Sequence, residues 1–153
     1  MGPFNSLHEN IKLDLVYETT DPNATTDVTS AYVDMTNKTK VAFKLFRTGT
    51  STDAMDVFKL VQATSSGGAN VKDITGAAMS VFTSLASNGQ NAILEVDVGS
   101  LDTENDFKFV AAVFSLGANA GTDLLTVVAM SDHNIAQRSL NTADPDNNAI
   151  KAP

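Results

Sequence analysis

Between Ile11 and Met130 the chain runs through about eight short apolar-alternating segments, each broken by a turn signal before it reaches helical length. A period of two places alternate side chains on opposite faces of an extended backbone. The clearest segment is Lys40–Arg47, where Val41, Phe43 and Leu45 share one face and Ala42, Lys44 and Phe46 the other. In Ile11–Tyr17, residues Ile11, Leu13, Leu15 and Tyr17 fall on one face. Val28–Met35 reads as a strand with Ala31, Val33 and Met35 opposite Tyr32, and Val57–Ala63, the short Val71–Ile74 and Leu124–Met130 read likewise. Ala92–Val98 sends Leu94, Val96 and Val98 inward and Glu95 and Asp97 outward. Phe107–Leu116 is almost continuously apolar, as a strand covered on both faces requires.

The punctuation agrees with this reading. Asp21-Pro22, Asn37-Lys38, Thr48–Ser51 and Gly117–Gly121 are breakers. Thr64–Gly68 has the composition of a flexible connection. Ala77–Leu85 fits either period, but its length and its Val, Phe and Thr favour a strand. Asn88-Gly89 supplies the two positive-φ positions of a tight turn, so Ala77–Leu85 and Ala92–Val98 are expected to form a hairpin. Ser100–Asp106 reads as one helical turn that Ser100 could cap. Strands spaced in this way argue for an all-β fold, an antiparallel β-sandwich (jelly-roll-like) or a barrel. The expected layout is an N-terminal arm at 1–10, one β-domain at 11–131 and a C-terminal arm at 132–153.

At 153 residues the chain is long enough to bury a core without staples, and its 8 Phe suit a dry one. It has no Cys, which excludes disulfides, thiolate metal sites and thiol catalysis. The formal net charge is -8, and no basic run exists to neutralise phosphates, so direct nucleic-acid binding is not expected. No apolar run spans a bilayer, and no stretch reads as a secretory leader. Gly2 with Ser6 fits a loose myristoylation pattern, but Pro3 and the lack of nearby basic residues argue against it.

Candidate chemistry is sparse. Asp102, Glu104 and Asp106 alternate as calcium ligands could, yet the EF-hand glycine and closing glutamate are missing. Glu95 and Asp97 lie on one strand face and would not flank a substrate as a glycosidase pair does. Asp132-His133 lacks a nucleophile elbow, and Gly67-Gly68 lacks the Lys of a phosphate loop. Asn23 and Asn37 head glycosylation patterns without a secretory context and read as turn residues. No catalytic, cofactor or metal residue is assigned, and the chain is not expected to be an enzyme. The ends are more informative. Phe4 and Leu7 in the first arm, with Ile135, Leu140 and Ile150 in the second, are spaced as anchors for a neighbour's groove or sheet edge.

An ordered series carries a family resemblance: Ser30-Ala31-Tyr32-Val33-Asp34-Met35, Lys40-Val41-Ala42-Phe43, Leu60-Val61-Gln62-Ala63-Thr64 and Val71-Lys72-Asp73-Ile74-Thr75-Gly76-Ala77, then Leu94-Glu95-Val96-Asp97, Leu101-Asp102 and Phe107-Lys108-Phe109-Val110. In this order, over roughly 28–130, the chain resembles the small β-rich structural proteins of tailed-phage head gene clusters, many of them similar to head decoration (cement) proteins. The resemblance implies a virion protein made in the host cytoplasm that binds the outside of an assembled capsid. Its implied partner is the major capsid protein, and it implies a homo-oligomer, a trimer or dimer. The same resemblance fits a tail or neck component. A carbohydrate- or receptor-binding module is a further alternative, weakened by the absence of Trp and the presence of only Tyr17 and Tyr32 as stacking platforms.

Overall fold

The computed structural model describes residues 11–18, 26–48, 55–79, 91–116 and 124–132. They form nine strands: β1 (Ile11–Glu18), β2 (Val28–Thr29), β3 (Val33–Asp34), β4 (Lys40–Thr48), β5 (Met55–Ala63), β6 (Lys72–Ala78), β7 (Asn91–Asp97), β8 (Phe109–Leu116) and β9 (Leu124–Asp132). One sheet has the order β1-β9-β4-β7; the other has β2-β8-β5-β6, with β3 also paired to β8. Every pairing is antiparallel. The pairs β5·β6, β4·β7, β2/β3·β8 and β1·β9 nest one inside the next, so the chain is one long hairpin rolled into two layers. That connectivity is a jelly roll, a β-sandwich of two packed sheets. Among the described residues no helix is long and apolar enough to cross a membrane.

The inward faces meet in one dry layer. Val41, Phe43 and Leu45 of β4 and Leu125, Val127 and Ala129 of β9 face Phe58 and Leu60 of β5 and Val110, Ala112 and Phe114 of β8. The alternation of β4 and β9 is thus the alternation of inside and outside. In β8 the outward Ala111 and Val113 are buried as well, together with Val61, beneath Tyr32 and Val57. This strand is covered on both faces, as its apolar run requires.

Four local features depart from the sequence reading. The segment 28–35 divides into β2 and β3, because Ser30 turns inward between them. Ser30 N donates to Ala112 O (2.9 Å), and Ala112 N donates to Ser30 Oγ (3.0 Å). Ala31 N crosses to donate to Val16 O of the other sheet (2.9 Å). The connection 64–70 is not loose but is tied by its own polar groups, with Thr64 N donating to Ala69 O (2.9 Å) and Ala69 N to Ser65 Oγ (3.1 Å).

Lys72–Ala78 is a single strand where two were expected. Gly76, at φ 82, absorbs the mismatch as the pairing shifts between Lys59 and Val61. This takes the start of the expected Ala77–Leu85 strand into the sheet opposite β7, while β7 pairs with β4. Asn88-Gly89 lies outside the described residues. Finally, β9 continues through Asp132, so the body extends one residue into what was read as the C-terminal arm.

The core makes two expectations concrete. Phe114 is fully buried and meets Tyr17 edge-on, with ring centroids 4.8 Å apart. Phe114→Ala is expected to lower unfolding free energy by about 3–5 kcal/mol, measured as a shift of the urea midpoint. At Gly68 (φ 79) a Cβ would stand 2.9 Å from the Tyr32 hydroxyl. Gly68→Ala is expected to lose about 1–3 kcal/mol in the same measurement.

Candidate docking face

Among the described residues, five of the seven exposed large apolar side chains, Leu13, Leu15, Phe46, Ile93 and Leu124, belong to the β1-β9-β4-β7 sheet. Register sets its rows. Leu15 pairs with Val128, Val128 with Lys44, and Lys44 with Ile93. The next row runs Leu13, Met130, Ala42, Glu95. Leu15 is 61% exposed, Leu13 54% and Ile93 50%, values that place three large aliphatic side chains in solvent on one flat surface. Phe46 and Leu124 extend the surface toward one end. Lys44 stands within it, but its ammonium turns over the Phe46 ring, 4.7 Å from the centroid, leaving the aliphatic stem in the row. Glu95 is drawn to the corner by Lys40 (3.1 Å).

The orientation of β1 is the unexpected part. Its apolar residues Leu13 and Leu15 point out. Lys12 and Asp14 lie on the inner side, level with the buried Ser131 and Ala129, and pair with each other at 3.4 Å. A bulge at Val16 then resets the phase, so that Val16 and Tyr17 both enter the core. Ile11, Leu13, Leu15 and Tyr17 therefore do not share one face along the whole strand. Burial lowers the Lys38 amine pKa; Asp14 counters this, Lys12 adds to it, and Asp34 and Asp132 also counter it.

Other candidate groups are occupied. Asp102 accepts from Asn105 Nδ2 at 2.9 Å on each oxygen and from Lys72, whose ammonium also lies 4.1 Å from the Phe107 ring centroid. Hydrogen bonds from Lys72 and then Asn105 hold the Asp102 carboxyl below its ordinary range. The expected helical turn is two short 3-10 turns, Val98–Ser100 and Thr103–Asn105. Neither carries a side-chain cap, and the Ser100 hydroxyl instead donates to Asp97 Oδ1 (3.4 Å). The buried Gln62 accepts from Asp102 N (2.8 Å), which makes this loop part of the scaffold. Among the described residues no three His, Asp or Glu side chains could hold a metal ion together. Tyr17 is committed to the core, and Tyr32 closes the outer cluster of the opposite sheet. Of the five arm residues, Phe4, Leu7, Ile135, Leu140 and Ile150, all lie outside the described residues, as does His133.

No family model matches the chain, and no curated protein matches it either.

Asp132 is the group whose chemistry ties this end of the sheet together. Its carboxylate accepts from Thr39 N (3.0 Å) and Lys40 N (3.2 Å), as well as from the Thr39 hydroxyl (2.5 Å). Burial pushes its pKa up, but these hydrogen bonds, with the Thr39 hydroxyl foremost, outweigh it and hold the carboxyl below its ordinary value. A carboxyl lower in the folded state adds stability above its unfolded pKa and loses it as pH falls through the folded one. Stability is therefore expected to fall as the solution is acidified through and below the ordinary carboxylate range. Asp132→Ala should flatten that dependence in urea melts taken from neutral to acidic pH.

Proposed function

We propose that this protein is a non-catalytic structural component of a phage virion, which binds the outer surface of the capsid and bridges neighbouring capsid subunits through its two ends. The observation that carries the reading is where those ends leave the body. Ile11 pairs with Asp132, so the segments before β1 and after β9 depart from one corner of the sandwich. Phe4 and Leu7 precede that corner in sequence, and Ile135, Leu140 and Ile150 follow it. Two weak anchors on one rigid body act together, because the second contact becomes intramolecular once the first has formed. The ordered resemblance to head decoration proteins supports the same reading. So does a jelly-roll body in which Asp102 and Asp132 are engaged by hydrogen bonds within the fold. The partner is the major capsid protein, and the place is the capsid exterior. A carbohydrate-binding role is disfavoured by the absence of Trp, and Tyr17 and Tyr32 are each packed in part against a buried cluster.

Full-length protein carrying Phe4→Ser and Leu7→Ser, or Ile135→Ser, Leu140→Ser and Ile150→Ser, is expected to bind empty shells at least about tenfold more weakly. The combined variant should fail to co-sediment. Unchanged co-sedimentation of the combined variant would overturn the clamp.

A further inference from the structure

We propose that the outward face of the β1-β9-β4-β7 sheet is a self-association surface, on which a second copy of this chain packs sheet against sheet about a two-fold axis. The inference stands apart from the capsid reading, since it rests on the face alone. Leu13, Leu15 and Ile93, each at least half exposed, are joined across the strands by Val128, Met130 and Ala42. Scattered exposed apolar residues are ordinary, but a contiguous apolar sheet face is not. The phase of β1 sharpens the point. The strand turns its leucines to solvent and its Lys12–Asp14 pair toward the sandwich, then needs a bulge to bring Val16 and Tyr17 back inside. In a lone molecule this arrangement leaves apolar area in water and gains nothing from Leu13 or Leu15.

Three observations favour a second copy as the occupant. The first is charge. The chain carries -8 in all, while the two central rows of this face hold one cation and one anion, Lys44 and Glu95. Two copies therefore meet here with little repulsion. The second is area. Four strands about 4.8 Å apart, over eight residues at about 3.4 Å each, present roughly 500 Å². Two such faces bury about 1,000 Å² together, the lower bound of a specific interface. The third is the character of the β1 edge. Inward charges and a bulge are the devices that keep an edge strand from pairing with another chain. Lys12, Asp14 and the Val16 bulge thus disfavour a continuous sheet through β1 and leave the face as the contact. Beyond these two rows the register places Lys40 and Asp97 on one side and Glu18 on the other, the layout of an apolar-rich interface core with a polar rim. Face-to-face packing of one patch on itself is isologous and closes at two copies.

The test is the solution mass of the full-length chain by sedimentation equilibrium, from about 1 to 100 µM. Wild type is expected to pass from monomer to dimer within this range. Leu15→Glu should raise the dissociation constant at least about tenfold. Val71→Glu, at an exposed position in the opposite sheet's loop, should leave it unchanged. Ile93→Lys, on the far strand of the same face, repeats the test with a separate side chain should Leu15→Glu fail to fold by circular dichroism. A monomer throughout, a trimer, or a dimer indifferent to both face variants overturns the proposal. So does a loss of shell binding by Leu15→Glu with no change in mass, which would give the face to the shell.

Discussion

The two sheets share a single dry layer, and Phe43, Phe58 and Phe114 span it. Everything else follows from the requirement that each inward side chain find a partner on the opposite sheet. The nested pairing of the strands is what supplies those partners. It sends the chain from one layer to the other at nearly every connection, so that residues remote in sequence come to face each other. Two buried polar side chains next to this layer are tied to the backbone. Ser30 has its hydroxyl bonded to the β8 backbone, and Gln62 has its amide oxygen holding the Asp102 loop. Buried polar atoms without such partners would forfeit their hydration for nothing.

The same layer accounts for the contrast between the two outer faces. On the β8 side, Tyr32 and Val57 close over Val61, Ala111 and Val113, and Gly68 is held at positive φ against the Tyr32 hydroxyl. On the β1 side the outer rows lie bare, with Leu13, Leu15 and Ile93 at the surface. A sandwich needs only its inner faces to fold. The bare rows are therefore free to serve contact with another molecule.

Much of the scaffold was legible because its signals are local. Val41, Phe43 and Leu45 follow one another with a period of two, and all three are fully buried. The unbroken apolar run of β8 announces cover on both faces. Where reading failed, the cause was a contact remote in sequence. Ser30 breaks the second strand because Ala112 waits opposite it. Lys72–Ala78 stays whole because Gly76 can take positive φ against β5. The candidate face left one trace in the sequence: Ala42 and Phe46 make β4 partly apolar on its second side, which a sheet facing only water does not require.

By itself the sequence determined which side chains stand together along each regular stretch of strand, since successive Cβ atoms alternate wherever no bulge intervenes. It thereby determined an all-β domain with antiparallel pairing and a phenylalanine-filled interior. Only the tertiary structure decided which side is the inside where a strand's own alternation leaves the choice open. For β1 that choice depends on the ladder with β9, whose register sets Leu13 and Leu15 against the outward Met130 and Val128, and on the bulge that reverses the phase at Val16. A one-residue shift of pairing exchanges the two faces of a strand. No pattern within Ile11–Glu18 alone specifies where that shift falls, because the partner strand lies at the other end of the chain.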